Sequence, residues 1–168
     1  NSLSFKQLTE QAENTIHISR TEWRPICPTK RAFITGGAVR VGRLCCEYLA
    51  DQGYELIIGY HQSKSDAEGL KSQLGLKTKV DIIHTDFLNV LMDEDLIERI
   101  LKKYGPISLL INNASIMKDV SFSKTSHQEL LDQFHVNFFA PFKLMQSYMK
   151  SHKHGHVINI LDARIASN

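Results

Sequence analysis

The fold is decided by one stretch of the sequence, Phe33-Ile34-Thr35-Gly36-Gly37-Ala38-Val39-Arg40-Val41-Gly42. The apolar run 32–34 predicts a buried strand, and the glycines after it allow a tight turn because they carry no Cβ. Apolar residues then recur at helical spacing, at Val41, Leu44, Cys45, Tyr48 and Leu49, and Gly53 is placed to end the helix. Strand, glycine turn and helix together direct backbone N–H groups at a phosphate, most often a dinucleotide pyrophosphate. The alternative is a plain strand-to-helix connection.

The rest of the chain alternates short apolar runs with amphipathic segments. Further strands are predicted at 55–60, 80–85, 107–111 and 157–161. A helix capped by Ser63 carries Ala67, Leu70 and Leu74, and another covers about 93–104. A long helix is predicted to carry Leu130, Phe134, Phe138, Phe142, Met145 and Met149 and to end at 154–155. Apolar strands separated by helices predict an α/β fold, a doubly wound parallel sheet of the Rossmann type, with its site at the carboxyl ends of the strands.

Composition is that of an ordinary globular protein of one domain. The 168 residues are 42% hydrophobic and 23% charged, with a net charge of +2. Residues 1–30 are polar and contain Pro25 and Pro28 before the first strand, so we expect an N-terminal extension or linker there and the dinucleotide-binding domain over 31–168. No basic run indicates nucleic acid as a partner.

Cysteine use and hydropathy indicate a compartment. The three cysteines, two of them adjacent at 45 and 46, do not form a disulfide framework and favour a reducing environment. No apolar stretch reaches the ~20 residues that span a bilayer, and the N-terminus has no signal-peptide core. We therefore expect a cytoplasmic protein with no membrane partner, and no metal site.

The loop after the second strand predicts which dinucleotide is bound. His61, Gln62, Ser63 and Lys64 stand where NAD enzymes usually carry Asp or Glu, whose carboxylate binds the ribose hydroxyls and would repel a 2′-phosphate. Imidazole, hydroxyl and ammonium groups can instead donate to that phosphate. The loop therefore favours NADP(H). The alternative is a polar loop in which Ser63 only caps a helix.

The pattern Thr35-Gly36-x-x-x-Arg40-x-Gly42 resembles the cofactor turn of the short-chain dehydrogenase/reductases. Most members have glycine at the position of Arg40, and an arginine there is similar to the pteridine-reductase branch. The resemblance covers about residues 31–163. It implies that Gly36, Arg40, Val41 and Gly42 bind the cofactor, and that Arg40 lies beside the pyrophosphate within reach of the carbonyl edge of a pterin.

The same resemblance implies cofactor contacts at the next strand ends. Asp86 would hydrogen-bond the adenine amino group, with the backbone of Phe87 lining that pocket, although an Asp after a strand is also a common turn residue. The segment from Asn112 through Asn113 and Ala114 is similar to the Asn-Asn-Ala-Gly motif of the family, with Ser115 in place of glycine, as in pteridine reductases. Asn113, Ala114 and Ser115 are therefore expected cofactor contacts.

Two residues are expected to take part in catalysis. Asn137 matches the helix asparagine that holds a water in the proton relay of the family, although an Asn before Pro141 also suits a structural kink. Asp162 replaces the usual serine, as in pteridine reductases, where it assists the catalytic tyrosine in protonating a dihydropterin. Reducing a C=N bond requires a hydride on carbon and a proton on nitrogen.

The resemblance thus implies an NADPH-dependent reductase of a dihydropteridine or dihydrofolate-like substrate. Its Tyr-x-x-x-Lys signature should begin about a dozen residues beyond Asp162. We therefore expect that the 168 residues are part of a longer, homo-oligomeric enzyme, that the sheet is incomplete, and that these residues alone are inactive. The alternatives are a carbonyl reductase with a coincidental Asp162, and a non-catalytic nucleotide-binding module.

Overall fold

The computed structural model describes residues 29–88, 96–117, 122–151 and 155–161. The strands in these ranges are β1 (Arg31–Ile34), β2 (Glu55–Tyr60), β3 (Val80–His84), β4 (Leu109–Asn112) and β5 (His156–Asn159). The helices are α1 (Arg40–Asp51), α2 (Lys64–Leu74), α3 (Leu96–Tyr104), α4 (His127–Phe134) and α5 (Ala140–Ser151). A 3₁₀ turn, Phe122–Lys124, precedes α4, and a π-helical turn, His135–Phe139, joins α4 to α5.

The five strands form one parallel sheet in the order β3-β2-β1-β4-β5. Ile34 of β1 pairs with Ile58 of β2 on one side and with Ile111 of β4 on the other. The direction of winding reverses between β1 and β4, and ligands of such sheets bind outside the strand ends at that point. The predicted doubly wound sheet is confirmed, and the glycine turn lies at the switch point.

Each face of the sheet carries its own apolar core. Neighbouring residues of a strand point to opposite faces, so Ile34 and Ile58 pack beneath α1 and α2, whereas Phe33 and Ile57 pack against α3 and α5. The predicted face of α3 is confirmed: Leu96, Ile97 and Ile100 are buried, with Leu101 and Tyr104 packed against them.

The helix predicted after the glycine turn is confirmed as α1, but only some of its apolar residues are buried. Val41, Leu44 and Tyr48 are 50%, 64% and 65% exposed, and the buried residues are Gly42, Cys46, Leu49 and Ala50. Gly42, Cys46 and Ala50 follow one another at intervals of four, which places three small residues in a row along the helix. This small-residue row lets α1 lie close to the sheet and the turn, and that close approach sets the rotation of the helix.

The single long helix predicted from the sequence is divided in the structure. It is interrupted by the π-helical turn, and its buried residues are Val136, Ala140, Leu144 and Tyr148. Pro141 has no N–H to donate to the carbonyl of Asn137 four residues earlier, which disfavours regular α-helix at this point. Five of the six apolar residues that the sequence places along this helix are exposed. We call these five residues the aromatic face: Leu130, Phe134, Phe138, Phe142 and Met149.

The structure bears on only part of the predicted N-terminal extension and of the expectation that no segment spans a membrane. Residues 1–28 lie outside the described ranges, and the domain boundary near residue 30 stays a prediction. Thr29 donates from Oγ1 to the carbonyl of Pro106 at 3.2 Å. No helix within the described ranges combines the length and the apolar character needed to cross a bilayer.

Candidate functional site

The glycine turn between β1 and α1 packs directly against the segment that follows β4. Gly36 has φ +60°, and a Cβ on it would lie 3.0 Å from the Ala114 Cα. A Cβ on Gly42 would collide with the Gly36 carbonyl oxygen and would lie 2.5 Å from Asn113 Nδ2. Glycine is therefore favoured at position 36 by the left-handed backbone and required at position 42 by lack of space.

Thr35 and Asn113 connect these two segments by hydrogen bonds. The Thr35 Oγ1 accepts from the backbone N–H groups of Asn113 at 2.9 Å and of Ala114 at 3.0 Å. The Asn113 Nδ2 donates to the carbonyls of Thr35 at 3.1 Å and Gly36 at 2.9 Å. The Asn113 side chain, expected to contact a cofactor, is thus engaged in shaping the turn.

The N-terminus of α1 has the properties of an anion site. Its N-cap residue, Val39, makes no side-chain capping bond, and no acidic residue lies in the first turn. Arg40 begins the helix, is exposed, and has φ 51°, a left-handed conformation that costs a non-glycine residue about 1–2 kcal/mol. Glycine would adopt that conformation without this cost, so the chain keeps a charged side chain here at the expense of backbone strain. Val41 is exposed next to it.

The loop after β2 reaches the end of β3. His61 is exposed, and its Nε2 lies 3.8 Å from Asp86 Oδ1, which also accepts from the Leu88 N–H at 3.0 Å. Gln62 is exposed. Ser63 is the N-cap of α2, as predicted, but its side chain makes no capping bond. Lys64 lies 3.8 Å from Glu68, one turn along α2. A carboxylate therefore does face this loop, from β3 instead of β2.

One polar residue at this edge was missed by the sequence reasoning. His84 ends β3 in register with Tyr60, the last residue of β2. Its ring lies 5.6 Å from that of Tyr60 and 5.7 Å from that of His61. The sequence alone does not show that His84 lies beside residues 60 and 61, because these residues are distant along the chain and the register of the two strands is needed to bring them together.

The end of β4 completes the crevice. Phe87, Asn112 and Ala114 line a small depression together with residues of α5. Phe87 is buried, and Ser115, the residue after Ala114, is exposed. The Asn112 Nδ2 donates to Asn159 Oδ1 on β5 at 2.8 Å, which ties the two strand ends together.

Asn137 lies exposed in the π-helical turn, and both ends of its side-chain amide make a structural contact. Its Oδ1 accepts from the Ile116 N–H at 2.9 Å, and its Nδ2 donates to the Ile116 carbonyl at 2.8 Å. The geometry agrees with the structural alternative for this residue, while its part in a proton relay stays a prediction. Asp162, the other expected catalytic residue, lies outside the described ranges.

Cys46 lies beneath the glycine turn. Its Sγ–H donates to the Gly37 carbonyl at 3.4 Å, and burial raises the pKa of this thiol from 9.0 to about 12. The group therefore stays neutral and acts as a packing residue. Among the described residues, no three His, Cys, Asp or Glu side chains are grouped so that they could hold a metal ion.

Comparison with known proteins identifies relatives that match most of the chain. A family model described as short chain dehydrogenase matches residues 30–162. Fluoren-9-ol dehydrogenase of Terrabacter sp. strain DBF63 is 26% identical over 160 residues, which cover 86% of this chain and 43% of that protein. The reductase FabG of Escherichia coli K12, a 3-oxoacyl-(acyl-carrier-protein) reductase, is 29% identical over 135 residues, covering 78% of this chain and 54% of that protein.

Solved structures show the same fold. FolM alternative dihydrofolate reductase 1 from Brucella canis, in complex with NADP, superposes with a TM-score of 0.76 at 25% identity, covering 86% of this chain and 60% of that one. A blue fluorescent protein from a metagenomic library, in complex with NADPH, gives a TM-score of 0.76 at 26% identity, with 83% and 59% covered. The chain spans about half the length of the curated relatives it matches.

Proposed function

The chain belongs to the short-chain dehydrogenase family, and from that premise we propose that it is the cofactor-binding part of an NADPH-dependent reductase. The observation that carries the proposal is the glycine turn. Its backbone is left-handed at Gly36 and leaves no room for a Cβ at Gly42, and it opens onto a helix N-terminus without a capping side chain or an acidic residue. Such a surface suits the close approach of a pyrophosphate. Arg40 adds a positive charge at the same place.

The loop after β2 supports the phosphorylated form of the cofactor. His61, Ser63 and Lys64 can donate to a 2′-phosphate, and neither partner carboxylate lies within ordinary hydrogen-bond distance of His61 or Lys64. The two structural relatives crystallised with NADP and NADPH agree with this assignment. Asp86 and the backbone of Phe87 would hold the adenine, and Ala114 and Ser115 would contact the ribose.

When bound, the cofactor supplies the hydride, and the residues of this chain orient it and support proton transfer. Asn137 holds the segment around Ile116 against the π-helical turn, which keeps the wall of the crevice in place. Asp162 would assist a tyrosine located beyond residue 168 in delivering the proton.

The proposed substrate is a dihydropteridine or dihydrofolate-like molecule with a C=N bond. The sequence features behind this choice are Arg40, Ser115 and Asp162, and the likeness to FolM alternative dihydrofolate reductase agrees with it. A carbonyl substrate is the second candidate, favoured by the names of the curated relatives, a reductase of 3-oxoacyl groups and an alcohol dehydrogenase. We further propose a homo-oligomer, since the aromatic face leaves several large apolar side chains exposed.

The cofactor assignment is tested by replacing His61 and Lys64 with alanine together. NADPH affinity should fall by about 30-fold or more and NADH affinity by less than threefold, because only NADPH carries the extra phosphate. The matched control replaces His127 and Lys150, an exposed histidine and lysine on α4 and α5. Equal losses for both dinucleotides would contradict the assignment.

The substrate is tested with the full-length protein by following NADPH oxidation at 340 nm. Dihydrobiopterin and dihydrofolate should be reduced, and Asp162→Ala should lower kcat while leaving the Kd for NADPH nearly unchanged. Turnover of a 3-oxoacyl thioester without turnover of either dihydropterin would overturn the pteridine assignment in favour of the carbonyl reductase.

A further inference from the structure

We propose that His84 determines the preference for the phosphorylated cofactor, by forming with His61 a pair of imidazoles that binds the 2′-phosphate. The inference rests on the proposed function and extends it to a residue on a different strand. Three aromatic rings, those of Tyr60, His61 and His84, meet at the joint edge of β2 and β3.

Strand pairing is what brings His84 to this edge. Tyr60 and His84 are register partners at the carboxyl ends of adjacent parallel strands, so their side chains leave the same face of the sheet. The Tyr60 ring meets His84 edge to face at 5.6 Å and is itself packed against the core beneath α1 and α2. His84 is thereby held against a fixed support although it is exposed.

The spacing of the two imidazoles suits one phosphate group. Their ring centroids are 5.7 Å apart, and the rings are tilted by 46°. N–H donors on two rings at this separation can reach different oxygens of a single phosphate, each at about 2.7–3.0 Å. The same edge offers the N-terminus of α2, an eleven-residue helix, and the Ser63 hydroxyl, which makes no capping bond.

The charged groups around the pair are of both signs. Asp86 Oδ1 lies 3.8 Å from His61 Nε2, and α2 contributes Lys64, Asp66 and Glu68, of which the first and last lie 3.8 Å apart. Asp86 thus provides a partner for His61 on one side. Since His61 has a second ring nitrogen, it can face Asp86 and a phosphate at once, and the His84 imidazole supplies a further N–H donor.

The test separates donor chemistry from ring packing. In the full-length protein, His84→Phe keeps an aromatic ring beside Tyr60 and His61 but removes both nitrogens, whereas His84→Gln keeps an N–H donor. We expect His84→Phe to weaken NADPH binding by about tenfold and NADH binding by less than twofold, and His84→Gln to recover a substantial part of the NADPH affinity. Dissociation constants come from nicotinamide fluorescence titrations, with His127→Phe on α4 as the control for an exposed histidine.

The outcomes are distinguishable. An unchanged ratio of NADPH to NADH affinity in His84→Phe, with a wild-type protein that prefers NADPH, overturns the role of His84 and leaves the proposed function standing. Equal weakening of both dinucleotides also overturns it, since it indicates a structural role. If the wild-type protein binds neither dinucleotide, the proposed function itself fails. Thermal unfolding of each variant shows whether the fold is retained.

Discussion

The side-chain amide of Asn137 and the backbone of Ile116 hydrogen-bond to each other in both directions, at 2.9 Å and 2.8 Å. This pair fastens the π-helical turn to the segment after β4. The beginning of that segment is held in turn by Thr35, whose Oγ1 accepts from the N–H groups of Asn113 and Ala114. The glycine turn, the end of β4 and the π-helical turn therefore form one connected wall of the crevice.

Replacing Asn137 with alanine should lower the free energy of unfolding by about 1–3 kcal/mol, because two hydrogen bonds to the Ile116 backbone are lost. Urea denaturation followed by circular dichroism measures the change. Gln146→Ala, which removes an exposed amide from α5, is the matched control and should change stability by less than about 0.5 kcal/mol. If the two variants are equally stable, the Asn137 amide does not hold the wall together.

Thr35→Val should cost about 2–3 kcal/mol of stability, because it leaves two backbone N–H groups in a partly buried turn without their acceptor. Thr35→Ser keeps the oxygen and should cost less than about 1 kcal/mol. NADPH affinity should fall with the valine variant only, since the turn then loses its tie to Asn113. Equal unfolding midpoints for the two variants would show that the Oγ1 contacts contribute little.

Arg40→Gly should separate stability from binding. The change relieves about 1–2 kcal/mol of left-handed backbone strain and adds about 0.5–1 kcal/mol of unfolded-chain entropy, so stability should change by no more than about 1 kcal/mol. NADPH affinity should fall by about tenfold as the positive charge is lost. Arg40→Lys keeps both charge and strain and serves as the control. A loss of more than about 2 kcal/mol in the glycine variant would mean that the arginine packs structurally.

Cys46 should make the protein less stable in alkali. Its pKa is raised from 9.0 to about 12 in the folded state by burial, so the unfolded thiol ionises first as the pH rises. The contribution is complete below pH 9 and is lost between pH 9 and 12, and the loss reaches about 1.4 kcal/mol at pH 10. In Cys46→Ala the free energy of unfolding should decline less steeply between pH 8 and 10, because the two proteins share all other titrating groups. Parallel pH profiles for the two proteins would refute this.

The aromatic face should govern self-association. Phe138 and Phe142 stack at 6.4 Å and are 57% and 49% exposed, and replacing both with glutamate should convert an associated protein to monomer in sedimentation velocity. Leu76→Glu, at a residue 91% exposed on a turn, is the control and should leave association unchanged. A wild-type protein that is already monomeric would contradict the expectation of a homo-oligomer.

The sequence by itself determined the order of strands and helices, the glycine turn and the loop at 61–64. These features depend on neighbours within a few residues: apolar runs, helical spacing, glycine at the turn and the absence of a carboxylate after β2. The doubly wound sheet followed because parallel strands joined by helices have few other arrangements.

Only the tertiary structure decided which side of each helix is buried and which polar groups meet. Val41 and Leu44 of α1 are exposed because small residues on the opposite side of that helix allow it to approach the sheet. Phe134 and Phe138 are exposed because Val136 and the buried residues of α5 face the core instead. Local spacing leaves that choice open, since α1 has apolar or small residues on both sides. The meetings of His84 with His61 and of Asn137 with Ile116 likewise depend on strand register and helix packing, which join residues more than twenty positions apart.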